Sequence, residues 1–194
     1  MQPGKYYHIF NRGNNREIIF RSEENYHYFL QKYRRYVHPH VETYAYCLMP
    51  GHFHFLIRVK SSQEIVEPAT GALSPVSKAF KDFFISYAKS FNKRYNRTGS
   101  LFQYKFKRKE IGKEDYLIRL VCYIHANPVA AGLCTCFGDW RFSSYNALAG
   151  SSSTELERNS VLEWFGGREN FAHLHQQFAR DQDPDLDFKS LGDF

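Results

Sequence analysis

Two β-favouring runs, Glu42–Met49 and His52–Val59, meet at Pro50-Gly51, and this junction constrains the fold more than any other stretch of the chain. A Pro-Gly pair is a tight-turn signal, so the two runs read as an antiparallel hairpin. Residues two apart in a strand share a face. His52 and His54 therefore project side by side, with Phe53 anchored in the opposite layer. Two imidazoles on one rigid face make half of a metal site. The same spacing occurs at His38-Pro39-His40 and at His173-Leu174-His175. In the first, a proline breaks the strand. In the second, a helical context turns i and i+2 apart.

The flanking segments supply the rest of an architecture. Lys5–Arg12 reads as a first strand, ended by Gly13-Asn14-Asn15. Ser22 offers an N-cap to a helix with Glu23 and Glu24 in its first turn and Tyr26, Phe29, Leu30 and Tyr33 at helical spacing. A Ser-, Pro- and Gly-containing loop spans about Ser61–Pro75. Val76–Tyr95 reads as a second helix, lined by Phe80, Phe83, Phe84, Tyr87 and Phe91. Leu101–Ile111 reads as a fourth strand. The order β-α-β-β-α-β predicts an α+β, ferredoxin-like fold: an antiparallel sheet with helices packed on one face. The first and third strands are then central neighbours, which puts the histidine pair in mid-sheet. Lys113–Asn127 predicts a further helix stopped by Pro128. The expected organisation is a domain over 1–150 and a C-terminal extension over 151–194. In the extension, a Ser/Thr-rich linker precedes an amphipathic segment around Val161–Phe178 and a poorly ordered acidic end at Asp181–Asp187.

Charge narrows the partner. The chain of 194 residues carries a formal net charge of +6, which favours an anion such as nucleic acid. The charge is concentrated: Phe83–Lys109 holds no acidic residue. Lys89, Lys93, Arg94, Arg97, Lys105, Lys107, Arg108 and Lys109 lie there, interleaved with Phe91, Tyr95, Phe102, Tyr104 and Phe106. Positive charge with flat rings suits single-stranded nucleic acid, which needs neutralised phosphates and stacked bases. The competing reading is a solvated basic face over a core-facing aromatic stripe. Cys47, Cys122, Cys134 and Cys136 lack disulfide or zinc-knuckle spacing and read as reduced thiols. With no signal peptide and no membrane-length apolar run, the expectation is a cytoplasmic, nucleoid-associated protein with no membrane partner.

Tyr116, Leu120, Tyr123 and Asn127 fall on one stripe of the last helix. A phenol is a poor nucleophile at neutral pH because its pKa is near 10. Attack on phosphate becomes feasible when a divalent cation polarises the phosphate and holds it in line. Asn127, one turn after Tyr123, offers an amide oxygen as a third ligand beside His52 and His54. Periodicity alone favours reading Tyr123 as a core aromatic at a helix-packing position.

Five segments, in order, resemble a known family. They are Tyr7–Arg16 (YHIFNRGNNR), Tyr46–His54 (YCLMPGHFH), Phe91–Gln103 (FNKRYNRTGSLFQ), Tyr123–Val129 (YIHANPV) and Asp139–Tyr145 (DWRFSSY). The chain resembles the single-tyrosine HUH transposases of the insertion-sequence-200-like superfamily, most closely their REP-associated branch. The resemblance implies a ferredoxin-like enzyme that cleaves and rejoins single-stranded DNA next to hairpins or palindromic repeats. The implied reaction leaves a 5′-phosphotyrosine and a free 3′-OH, with Mg²⁺ or Mn²⁺. It implies His52 and His54 as metal ligands and Tyr123 as nucleophile. Asn127 stands at a polar metal-ligand position where relatives often carry glutamine. Arg12, Asn14 and Arg16 of the first segment join the basic residues above as candidate DNA contacts. Related enzymes are homodimers or monomers. Two rival expectations are a catalytically inactive ferredoxin-like nucleic-acid-binding protein and a metal-independent ribonuclease using histidine as acid and base.

Overall fold

The computed structural model describes residues 1–61, 74–112 and 114–181. Four strands form one antiparallel sheet: β1 (Tyr6–Arg12), β2 (Val41–Met49), β3 (His52–Val59) and β4 (Lys107–Ile111), in the order β2-β3-β1-β4. Helices α1 (Glu23–Tyr36) and α2 (Pro75–Arg94) complete the β-α-β-β-α-β order. Both start as their sequences dictate. The Asn25 side chain accepts from the Ser22 backbone N–H at 3.2 Å, and the Asn25 N–H donates to the Ser22 carbonyl at 2.9 Å, tying down the start of α1. Pro75 begins α2 behind Ser74, whose hydroxyl accepts from the Ser77 N–H.

The two crossover helices share one face of the sheet, as expected, and the further helix lies on the other. Helices α1 and α2 cover the side on which Phe53, Phe55 and Ile57 meet Phe29, Tyr33, Phe80, Phe83 and Tyr87. Helix α3 (Glu114–Ala130) covers the other side. There Leu117, Leu120, Val121 and Ile124 share a buried cluster with Tyr44, Cys47, Met49 and Leu56. The central strands are accordingly buried almost throughout, whereas the edge strand β4 is exposed and charged from Lys107 to Glu110.

The Pro50-Gly51 turn is tied into this frame. The Pro50 carbonyl accepts from the Ile19 and Phe20 N–H groups at 2.8 and 3.1 Å, and the Gly51 carbonyl accepts from Gly13 N–H at 2.9 Å. Gly13 must be glycine, because a Cβ there would meet the Glu17 carbonyl oxygen at 2.0 Å.

Three elements differ from the sequence expectation. The fourth strand pairs only over Lys107–Ile111. Leu101 and Phe102 both turn into the core, which alternation forbids, and Lys105 takes a φ of 60° that breaks the extended path. Helix α3 runs through Pro128 to Ala130. Proline forgoes one N–H near the helix end but keeps a helical φ. The stop comes instead at Gly132, with φ 67°, where Leu133 N–H reaches the Pro128 carbonyl. The C-terminal amphipathic segment is two helices rather than one, α5 (Arg158–Trp164) and α6 (Arg168–Asp181), separated by Gly166 and Gly167 at φ 72° and 117°. A short α4 (Tyr145–Ala149) precedes them. Most of the expected loop after Ser61 and of the acidic end lies outside the described residues.

Leu148, Val161, Phe165 and Phe171 bring α4, α5 and α6 into the α3 cluster. A buried polar chain fastens them. His175 Nδ1 donates to the Phe171 carbonyl at 2.7 Å, and its Nε2 lies 2.8 Å from His125 Nδ1. His125 Nε2 lies 2.7 Å from the Ser144 hydroxyl, which accepts from Tyr46 N–H at 2.8 Å. Ser144→Ala leaves the buried His125 Nε2 and the part-buried Tyr46 N–H without this partner. It is expected to lower stability by about 1–3 kcal/mol in denaturant unfolding. A midpoint unchanged from wild type would contradict this bonding scheme.

Candidate active site

β3 begins at His52, and its register fixes what surrounds the histidines. His52 stands opposite Arg12 of β1 and Met49 of β2, while His54 stands opposite Phe10 and Cys47. Residues paired across an antiparallel ladder share a face, so all six side chains lie on the side covered by α3. The two imidazole rings are 5.3 Å apart, centre to centre, and nearly perpendicular.

Packing of the α3 apolar stripe on β2 and β3 brings Tyr123 over this pair. Its ring meets His54 edge-on, with centres 5.5 Å apart, and is half-buried. One turn on, Asn127 donates its amide N–H to the Tyr123 carbonyl at 2.8 Å, and its side chain also hydrogen-bonds His52. His52, His54, Tyr123 and Asn127, drawn from two elements, thus form one polar cluster on the face covered by α3.

Burial sets the charge of the cluster. It holds His52 down to about 4, with the Arg12 guanidinium pushing the same way and Asn127 opposing. It holds His54 well below its ordinary value, helped by the neighbouring His8 and His52. Both rings are neutral near pH 7, the state a metal ligand requires. Two neutral imidazoles and an amide oxygen suit a divalent cation that completes its coordination with water and a substrate phosphate. Among the described residues, no group of three or more His, Cys, Asp and Glu side chains adds to that set.

The same burial makes the fold sensitive to acid. His8 and His175 are also depressed by burial, to about 3 and about 4, and Lys109 adds to the effect at His8. In the unfolded chain these rings take up protons below about pH 6.5, while the folded rings do so only near their depressed values. Stability is therefore expected to fall between about pH 6.5 and 4, by up to about 1.4 kcal/mol per pH unit for each such histidine. A melting temperature equal at pH 7.5 and pH 5 would contradict this.

The candidate DNA contacts separate into groups. Arg12 adjoins His52, and Asn14 and Arg16 follow in the turn after β1. Lys105, Lys107 and Arg108 are exposed on β4 and the segment leading into it. Lys107 pairs with Phe10, and Lys109 with His8, so these two lysines border the histidine face. The segment 99–109 and α2 enclose a groove of about 1200 Å³, lined by Lys81, Phe84, Lys89, Tyr104, Lys105 and Lys107 among others. Lys93 is exposed near the end of α2, but Arg94 is paired with Glu24 and Arg97 with Glu17. The interleaved rings are mostly core: Phe91 and Phe102 are buried, and Tyr95 and Phe106 pack against them. Tyr104 alone among the five is open, 90% exposed.

Lys109, the last cation of the acid-free stretch, is brought to the site by its register opposite His8. One residue stands at the site that the sequence did not single out: His8, with its Nε2 3.0 Å from His54 Nδ1. Its place two residues before Phe10 on an apolar strand was visible, but its partner was not.

Comparison with known proteins agrees with this geometry. Residues 2–127 match the family model described as transposase, IS200-like. None of the curated proteins matches the chain. Among solved structures, a REP-associated tyrosine transposase bound to a REP hairpin is similar, with a TM-score of 0.52 at 20% identity. The match covers 76% of this chain and 79% of that one. It shows the shared fold, and the family model spans both histidines, the tyrosine and the asparagine. The chain belongs to the IS200-like transposase family.

Proposed function

We propose that the protein is a single-tyrosine DNA strand transferase of the REP-associated type, which nicks and rejoins single-stranded DNA beside hairpins. The observation that carries this reading is the placement of Tyr123 against His54, with Asn127 bridging to His52. His52, His54 and Asn127 would hold Mg²⁺ or Mn²⁺. When bound, the ion supplies Lewis-acid polarisation of the scissile phosphate. The Tyr123 oxygen bonds to phosphorus as the bond to the 3′ oxygen breaks. The phenol loses its proton and the 3′ oxygen gains one. DNA is left 5′-linked to Tyr123 with a free 3′-OH, and the reverse step rejoins it. Arg12, placed beside His52, suits a phosphate on the substrate strand.

The similar solved structure is of a protein bound to a REP hairpin, and hairpin DNA is the substrate we assign here. The exposed cations of 105–109 and the groove beside them support a backbone-tracking surface. Binding should weaken steeply with salt, and Lys105→Glu/Lys107→Glu/Arg108→Glu should weaken it nearly uniformly across sequences, by roughly 10-fold or more. Affinity insensitive to both would place the DNA elsewhere. The catalytic reading is tested by incubating the protein with a single-stranded hairpin oligonucleotide and Mn²⁺. A covalent adduct that resists denaturant and is absent in EDTA is expected. Tight binding without any adduct would favour a non-catalytic DNA-binding protein.

A further inference from the structure

We propose that His8 is a positioning residue for the metal: it accepts a hydrogen bond from the His54 Nδ1–H and so commits His54 to ligate through Nε2. This rests on the reading of His52 and His54 as ligands. His8 lies in the centre of β1, and both it and His54 are 0% exposed. Their rings stack at 5.1 Å with 19° between planes, and His8 Nε2 lies 3.0 Å from His54 Nδ1.

One hydrogen occupies that contact, and its owner decides the chemistry. If His8 owns it, neutral His54 carries its own hydrogen on Nε2 and has no lone pair there for a cation. If His54 owns it on Nδ1, Nε2 presents the lone pair. A metal-bound imidazole characteristically donates its other N–H to a fixed acceptor, which sets the tautomer and raises the ligand's basicity. His8 supplies that acceptor from a neighbouring strand of the same sheet. Its other nitrogen, Nδ1, is buried and has no hydrogen-bond partner among the described residues. Among the described residues, the single hydrogen bond of the His8 side chain is thus the one to His54. An apolar residue of similar size would fill the layer between Phe10 and Tyr123 without the cost of burying imidazole. The ring is explained by what it does for His54.

The test measures Mn²⁺ binding to the DNA-free protein by electron paramagnetic resonance, apart from any cleavage. His8→Phe keeps an aromatic ring but no acceptor, and is expected to weaken Mn²⁺ binding about 10–100-fold. His8→Gln offers an amide oxygen near the place of Nε2 and is expected to restore most of the affinity. Wild-type affinity in His8→Phe, or equal losses in folded His8→Phe and His8→Gln, would overturn the acceptor role. Wild-type affinity in His52→Ala/His54→Ala would instead overturn the metal site itself. Should His8→Phe fail to fold, nitrogen-15 NMR of the wild-type protein saturated with Zn²⁺ decides the matter. A hydrogen on His54 Nδ1 is expected, and one on Nε2 would overturn the proposal.

Discussion

Tyr123→Phe is expected to bind hairpin DNA like the wild type and to form no covalent adduct, a loss of roughly 10⁴-fold or more in cleavage. The substitution removes one oxygen. The ring that meets His54 edge-on remains, as do the neighbours Leu120 and Ile124 that seat α3 on the sheet. The backbone carbonyl of residue 123, which accepts from Asn127, is also unchanged. Binding and fold should therefore survive while the attacking group is gone. Tyr116→Phe is the matched control: Tyr116 lies two turns earlier on the same helix and packs against the α3 cluster. It should cleave normally. If Tyr123→Phe still cleaved at the wild-type rate, Tyr123 would be a packing aromatic and the nucleophile would lie elsewhere.

His52→Ala/His54→Ala is expected to lose Mn²⁺-dependent cleavage by roughly 10³-fold or more, because the phosphate is no longer polarised or held in line. The two positions differ in cost to the fold. His52 is half-buried at the start of β3, so its truncation is mild. His54 is fully buried between His8 and Tyr123, so its removal leaves a cavity and an imidazole on His8 without its partner. A melting curve must accompany the assay. A folded double variant that cleaves as the wild type does, or wild-type activity in excess EDTA, would contradict a metal-dependent mechanism.

Much of this was legible in the sequence because it is local. The hairpin follows from a Pro-Gly turn between two β-favouring runs, and the shared face of His52 and His54 follows from a period of two. The N-caps at Ser22 and the stripe on α3 are equally local signals. The misreadings arose where tertiary packing overrode local pattern. Leu101 and Phe102 are both drawn into the core, which shortens β4. Pro128 is tolerated because it falls in the last turn of α3, and Gly132 ends the helix. Gly166-Gly167 divides what periodicity joined.

The basic stretch shows the same limit. Its rings and charges were interleaved in sequence, but Phe91 and Phe102 serve the core while Arg94 and Arg97 meet carboxylates from α1 and the turn before it. What remained illegible is long-range. His8 meets His54 across 46 residues, and His125 meets His175 across 50. Only the β1–β3 register and the packing of α6 on α3 disclose those pairs.

The most direct measurement is to trap the adduct between the protein and a 5′-labelled-phosphate hairpin substrate, digest it, and locate the modified residue by mass spectrometry. The account predicts a single phosphotyrosine linkage at Tyr123. A linkage at Tyr116, Tyr104 or any other residue would contradict it.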